Sequence, residues 1–432
     1  MFYEKQPENQ REKYKEMLEV IGNLTLLFSQ NSSPYLPYRC HENIFCDSFE
    51  AINMGRLDCS ADARKNKIGI GLKTWTDSDD QKVAEFGKMR KEYEEFSGIK
   101  LVKKIASYRN ERIRVTKKLY DIDEMIYHVV KRVPGFMKIM EHAFDYIDID
   151  NIKLIPKRGR ENNIYFTDGK HTYHFSSSKN TLYMLFEDLE ELDSFPVEIW
   201  DKPFERLIRM KNEYKNIIEL NNKHNKKMDF TLNSNYNKDK RQLCLRLYTL
   251  NKKTGEKTVP ISSGLNQWNG FRTSNRKGKN GTIVHTKSKR GINEFYISYP
   301  AVDRKRNPDF FPDRERPFKL HLPDGKVISA KVCQSAYKKL SDEEYKKLDN
   351  KSKKIEDKRR SEGKSIMSNP NEELGKWLLR KVLEIPEGTI VTYSMLASFG
   401  IDSVIFTKIG ELEYSIDFAE IGTYEEFYGQ DE

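Results

Sequence analysis

Apolar residues recur at helical spacing from about residue 9 to 30, where Tyr14, Met17, Leu18, Ile21, Leu24 and Leu27 fall between charged positions. This is the signature of an amphipathic helix. A second helix is expected over 41–53, with Ile44, Phe45, Phe49 and Ile52 as its apolar stripe. The period then changes. Ile68, Ile70 and Leu72 alternate with Gly69, Gly71 and Lys73, the two-residue repeat of a strand with one face on a core. With polar residues 64–67 before it, this run predicts a β-hairpin over 57–75. If Lys65 and Asn66 form the turn, Asp58, Ser60 and Asp62 lie across from Lys73, Gly71 and Gly69.

Further along, residues 77–80 can cap a helix expected over 81–96, and a basic run over 100–115 leads to another expected helix that carries Tyr127 and His128. On an apolar helix such a pair is read as packing before catalysis. Strand-like runs at 163–166 and 172–175 flank Asp168-Gly169, a strong hairpin signal. Between about 210 and 230 the chain turns Lys/Asn-rich and apolar periodicity fades, which places a boundary between a domain over 1–220 and another over 230–432. Beyond it, short strands are expected at 241–250, 294–299, 317–322, 326–333, 389–392 and 403–408, a spacing that argues for a mostly antiparallel barrel or sandwich. Residues 342–360 read as a helix charged all round, most simply a solvated one.

Composition narrows the class. The chain has 432 residues, 37% hydrophobic and 33% charged, with a net charge of +10, so it can bury two cores while presenting a positive surface suited to a polyanion. Five scattered cysteines, Cys40, Cys46, Cys59, Cys244 and Cys333, offer no zinc spacing and no disulfide framework, and with no apolar leader or membrane-length run a cytoplasmic location is expected.

The hairpin carries the chemistry. Two carboxylates and a lysine on one face, beside glycines that leave that face without bulk, suit the close approach of a phosphate backbone and a metal ion. It resembles the catalytic core of the PD-(D/E)xK restriction endonucleases, and that resemblance implies Mg²⁺ bound by acidic residues and a lysine that orients or activates the attacking water. Carried over, Asp58 or Asp62 matches the first acid and Lys73 the lysine, while Gly71 stands where the family has its second acid. Either the site is degenerate, or Glu42 or Glu50 from the preceding helix substitutes, with Asp58, Asp62 and Glu42 the implied metal ligands. A glutamate installed at position 71 would then return the usual carboxylate. The bland alternative is an exposed hairpin whose charges are merely solvated.

The C-terminal half carries a second resemblance. Ser263-Gly264-Leu265-Asn266-Gln267-Trp268, Ile292-Asn293-Glu294-Phe295-Tyr296-Ile297, Phe310-Phe311-Pro312, Leu322-Pro323-Asp324-Gly325-Lys326, Leu374-Gly375-Lys376-Trp377 and Ile416-Asp417-Phe418 look, in that order over roughly 230–427, like the recognition domain of NgoFVII-type restriction enzymes, a pseudobarrel related to the effector domain of EcoRII. Such domains clamp duplex DNA with two loop arms. The residues agree independently. From Lys257 to Asn293 there is no Asp or Glu, while Arg272, Asn275, Arg276, Lys277, Lys279, Lys287, Lys289 and Arg290 supply groups that read base edges or neutralise phosphates.

Together these features predict an α+β protein, an N-terminal α/β restriction-endonuclease-like domain followed by a C-terminal mostly-β pseudobarrel. The expected activity is that of a type II site-specific deoxyribonuclease, dependent on Mg²⁺, acting on double-stranded DNA and working as a homodimer because both strands must be cut. A cognate DNA methyltransferase acting on the same site, without a stable complex, completes the expected restriction–modification pair. The alternatives are a catalytically decayed or modification-dependent DNA-binding protein, or an RNA-processing enzyme.

Overall fold

A computed structural model describes residues 1–55, 59–76, 80–156, 163–187, 189–223, 242–251, 254–277, 283–335 and 341–429. The chain forms two compact units, one from Met1–Gly87, Phe96–Ser107 and Ile122–Lys238, the other from Lys88–Glu95, Tyr108–Asp121 and Asp239–Glu432.

The first unit begins with α1 (Glu8–Asn23) and α2 (Tyr38–Phe49), followed by β1 (Ile52–Asn53), β2 (Ala63–Lys65), β3 (Ile68–Trp75) and β4 (Asp80–Glu85). Helix α3 (Gly98–Leu119) follows, its residues from Tyr108 onward belonging to the second unit. Next come β5 (Glu124–Val133), β6 (Phe136–Ala143), β7 (Lys153–Leu154), β8 (Asn163–Thr167), β9 (Thr172–Ser176), β10 (Thr181–Leu185), β11 (Glu191–Pro196) and α4 (Pro203–Lys223). Six strands make a mixed sheet in the order β1-β2-β3-β5-β6-β11, with β3 and β5 parallel and every other pair antiparallel. The apolar stripes of α1 and α2 cover one face, where Tyr14, Leu18, Ile44, Phe45 and Phe49 pack on Ile70, Leu72, Val130 and Ile139. A second sheet, β4-β10-β9-β8-β7, contains the expected hairpin, whose turn is fixed by Asp168 Oδ1 accepting from the backbone N–H groups of Lys170 (3.0 Å) and His171 (2.8 Å).

Two expectations fail here. Tyr127 and His128 lie on β5, not on a helix; this strand is central and buried on both faces, so its apolar residues run without the alternation that marks a half-exposed strand. Residues 81–96 form β4 and a 3₁₀ turn at Gly87–Glu92, because pairing with β10 overrides a local pattern that reads as helical.

The second unit contains β12 (Gln242–Arg246), β13 (Thr249–Leu250), β14 (Lys257–Thr258), β15 (Phe271–Lys277), β16 (Ile283–Lys289), β17 (Ile297–Ser298), α5 (Ala301–Arg306), β18 (Pro317–His321) and β19 (Val327–Ser335). It continues with α6 (Asp342–Lys346), α7 (Asn350–Ser361), β20 (Gly363–Ser368), α8 (Glu373–Gly375) running into a π-helical stretch at Lys376–Val382, α9 (Tyr393–Phe399), β21 (Ile401–Gly410), β22 (Glu413–Glu420) and α10 (Thr423–Tyr428). Seven strands pair in the order β12-β21-β22-β18-β19-β20-β17, and the edge strands β12 and β17 come alongside each other, so the sheet is nearly closed into a barrel. Phe310, Phe318, Leu320, Val332, Phe406, Tyr414 and Ile416 are buried in this unit. Residues 389–392 are not a strand; Thr392 instead caps α9, its hydroxyl accepting from Met395 N–H at 3.2 Å.

Candidate functional site

The hairpin of β2 and β3 turns at Asn66 and Lys67, one residue later than the sequence suggested, with Ala63 opposite Ile70 and Lys65 opposite Ile68. Asn66 takes the left-handed conformation (φ 53°) that such a tight turn requires. The whole register is therefore moved by two positions. The pairing ends with Ala63 opposite Ile70, and just before it Asp62 N–H donates to the Ile70 carbonyl at 2.8 Å. Asp58 lies outside the described residues.

Asp62 and Lys73 are electrostatically coupled. Burial raises the Asp62 pKa, while the Lys73 charge, a hydrogen bond from Leu72 N–H to Oδ2 (2.7 Å) and the Arg39 charge oppose the rise. Glu42, near the start of α2 and only 6% exposed, joins the group. Its pKa is raised by burial and by the Asp62 charge, against the hydrogen bond from Arg39 Nη1 at 2.9 Å. Arg39 also donates to the carbonyl of Gly55, and a Cβ at that glycine would overlap the Glu42 carboxylate. Glu50 is elsewhere. It follows the last residue of α2, so about 12 Å of helix rise separates it from Glu42. Two carboxylates, a lysine and an arginine thus converge, and Arg39 was missed in the sequence because it stands outside any motif.

The glycine face is not open. A Cβ on Gly71 would lie 2.8 and 2.9 Å from two ring carbons of Tyr127 and 3.0 Å from Phe144. Those rings stack with centroids 4.0 Å apart, and Lys73 Nζ is 5.9 Å from the Tyr127 centroid. Gly69 likewise makes room for Ile122 and Met125. The glycines therefore admit side chains rather than phosphate, and a glutamate at position 71 has no space. On the opposite face His128 is fully buried between Tyr14 (3.0 Å) and Glu141 (3.1 Å), with the backbone N–H groups of Phe2 and Tyr3 donating to the same carboxylate, so it acts as an internal anchor.

In the second unit, the acid-free stretch is not a loop but an antiparallel ribbon, β15 with β16, in which Arg272 faces Ser288, Asn275 faces His285, Arg276 faces Val284 and Lys277 faces Ile283 across the strands. Strand alternation puts Arg272 and Arg276 at positions of one face and Thr273, Asn275 and Lys277, with Lys287 and Lys289, at positions of the other. Lys279 lies outside the described residues. Lys289 is exposed, whereas Arg290 pairs with Glu294 at 3.2 Å and serves the ribbon's base.

The motif residues pin that base. Asn266, fully buried ahead of the ribbon, donates to the carbonyls of Val391 (2.8 Å) and Pro260 (3.0 Å) and accepts from Val391 N–H (2.8 Å). Past the ribbon, Arg380 donates to Asn293 Oδ1 (2.7 Å) and the Ile292 carbonyl (2.9 Å). A Cβ on Gly375 would strike the Asn293 carbonyl, and one on Gly291 the Glu372 carboxylate, so both glycines serve close approach. A two-stranded ribbon is marginal alone, and these clamps tie the chain on either side of it to the rest of the unit.

Residues 222–410 match the family model of the NgoFVII C-terminal B3-like DNA-binding domain. The C-terminal region is therefore a restriction-enzyme-type DNA-recognition domain, and DNA is its partner. The matched span takes in the ribbon, both of its clamps and every barrel strand except β22, which completes the B3-like sheet between β21 and β18. No curated protein matches the chain. Among the described residues, no helix is long and apolar enough to cross a membrane.

Proposed function

We propose that this chain is a metal-dependent endonuclease of restriction type, hydrolysing phosphodiester bonds of double-stranded DNA at or near a specific sequence. The observation that carries the proposal is the convergence of Glu42, Asp62 and Lys73 in a chain that also has a restriction-enzyme-type recognition domain. Glu42 is buried and the Asp62 charge raises the cost of ionising it, a cost that a divalent cation would relieve.

The donor set fits Mg²⁺, a hard cation commonly held by one or two carboxylates with its remaining positions left to water and phosphate oxygens. Glu42 and Asp62 would hold it. When bound it polarises the scissile phosphate and lowers the pKa of a water. Lys73 would orient that water or meet the charge that develops on the phosphoryl oxygens, and Arg39, already 2.9 Å from Glu42, can balance the carboxylates or take a phosphate oxygen. Cleavage of both strands calls for two such sites, so a homodimer is part of the proposal, as is a methyltransferase that protects the same sequence.

A second reading has one observation in its favour. Tyr127 and Phe144 fill the space beside Gly71, where the resembling nucleases carry an acid, and this suits a decayed nuclease that only binds. Digesting a genome of known methylation state with Mg²⁺ and sequencing the ends separates the two. Ends clustered at one short motif support the nuclease; intact DNA, despite sequence-specific binding, supports the decayed protein.

A further inference from the structure

We propose that His41, held by the Tyr14 hydroxyl, is a positioning residue for Glu42, and that a buried chain of hydrogen bonds ending at Glu141 sets where that carboxylate stands. The inference rests on the reading of Glu42 and Asp62 as the metal-binding pair.

Glu42 leaves α2 one residue after His41, about 100° further around the helix axis. A fixed His41 therefore fixes the direction in which Glu42 departs. His41 Nε2 lies 2.7 Å from the Tyr14 hydroxyl, which is also 3.0 Å from His128 Nε2. His128 Nδ1 is 3.1 Å from Glu141 Oε1, and Glu141 accepts the backbone N–H groups of Phe2 (2.6 Å) and Tyr3 (2.9 Å). One chain of hydrogen bonds thus crosses α1, α2, β5 and β6. Tyr14, His41 and His128 are each no more than 1% exposed, so losing one link strands a polar atom away from water. Burial also holds the Tyr14 pKa well above its ordinary value, and the hydroxyl keeps the proton that one of its two bonds needs.

The other fastenings of α2 lie elsewhere. Its apolar stripe, Ile44, Phe45 and Phe49, begins after Glu42 and holds the later turns. In the first turn Pro37, at the N-cap, has no side-chain group to accept a hydrogen bond, and Tyr38 is 66% exposed. Arg39 ties Glu42 to the Gly55 carbonyl, but its own side chain is half exposed. His41 is what fastens this turn to the interior.

Mn²⁺ binding by the full-length protein, read from the loss of the free-ion paramagnetic resonance signal, tests this beside Mg²⁺-dependent cleavage. Tyr14→Phe deletes the bridging oxygen and keeps the ring that packs on Phe45 and Phe49. It should bind the cognate duplex like the wild type, hold Mn²⁺ about 10–100-fold more weakly and cleave more slowly by a similar factor, part of it recovered at high Mg²⁺. In a Glu42→Gln background it should weaken Mn²⁺ binding no further, whereas a general loss of structure would. Should a melting curve show Tyr14→Phe unfolded, His41→Gln and His41→Leu carry the comparison, since glutamine can still bond the hydroxyl and leucine cannot. Glutamine should then stay near the wild type and leucine should not. Wild-type Mn²⁺ affinity in Tyr14→Phe, or equal losses in the two His41 variants, would overturn the positioning role and leave the metal pair standing. Equal Mn²⁺ binding by the wild type and Glu42→Gln would overturn the metal pair, and this inference with it.

Discussion

Gly71→Ala distinguishes a glycine that admits aromatic rings from one that leaves a face open to DNA. The new methyl would sit 2.8 Å from Tyr127 Cδ1, 2.9 Å from Cε1 and 3.0 Å from Phe144 Cε1, where relaxed carbon contacts are about 3.5–4.0 Å. Neither ring can step aside. Tyr127 is 1% exposed and Phe144 6%, they are stacked on each other, and Phe186 meets Tyr127 edge-on at 5.1 Å. Overpacking of this kind costs about 1–3 kcal/mol, and the reduced entropy of the unfolded chain returns about 0.4–1 kcal/mol. A net loss of about 1–2 kcal/mol should lower the midpoint of a unit this size by roughly 3–6 °C. Thermal unfolding followed by circular dichroism measures it, and a Tyr127→Leu background should cancel most of the alanine cost through a coupling of about 1 kcal/mol. An alanine variant as stable as the wild type, but unable to process DNA, would refute the packing argument and restore the open face.

Other consequences can be checked alongside it. Glu42→Gln should reduce Mg²⁺-dependent cleavage as severely as Asp62→Asn, while Glu50→Gln, a helix length away, should cleave like the wild type in the same assay. Burial holds the Asp62 pKa above its unfolded value, so ionisation costs stability that is retained at low pH and lost as pH rises from the ordinary aspartate range through the raised value. Asp62→Asn should therefore melt higher than wild type above that window and lose this advantage below it; a pH series of melting curves decides. Neutralising Lys287 or Lys289 should weaken binding to all duplexes and lower the salt slope by about one unit, whereas Arg272→Ala or Arg276→Ala should cost about 1–3 kcal/mol on the cognate site alone, as titrations on cognate and scrambled DNA would show.

The sequence made some of this legible and hid the rest for physical reasons. The stripes of α1 and α2 and the Asp168-Gly169 turn were readable because each depends on neighbours within a few positions. The hairpin was readable, but its register depended on which residue takes the left-handed conformation, and Asn66 was as plausible as its neighbours. What Gly71 admits was not readable, since Tyr127 and Phe144 lie more than 50 residues further along the chain. The basic stretch was expected as a loop because its residues, Arg, Lys, Asn, Ser and Gly for the most part, show no alternation of apolar and polar positions. Arg380 and Asn266 were hidden as clamps, because their partners are backbone carbonyls that no residue pattern records.

The measurement that tests the central claim most directly compares Lys73→Ala with the wild type on one cognate duplex, reading binding and Mg²⁺-dependent strand cleavage from the same preparations. Lys73 is assigned to the cleavage step and not to recognition, so the variant should bind the site with nearly wild-type affinity while its cleavage falls by orders of magnitude. Cleavage at the wild-type rate by Lys73→Ala would contradict the account and move the active site away from this hairpin.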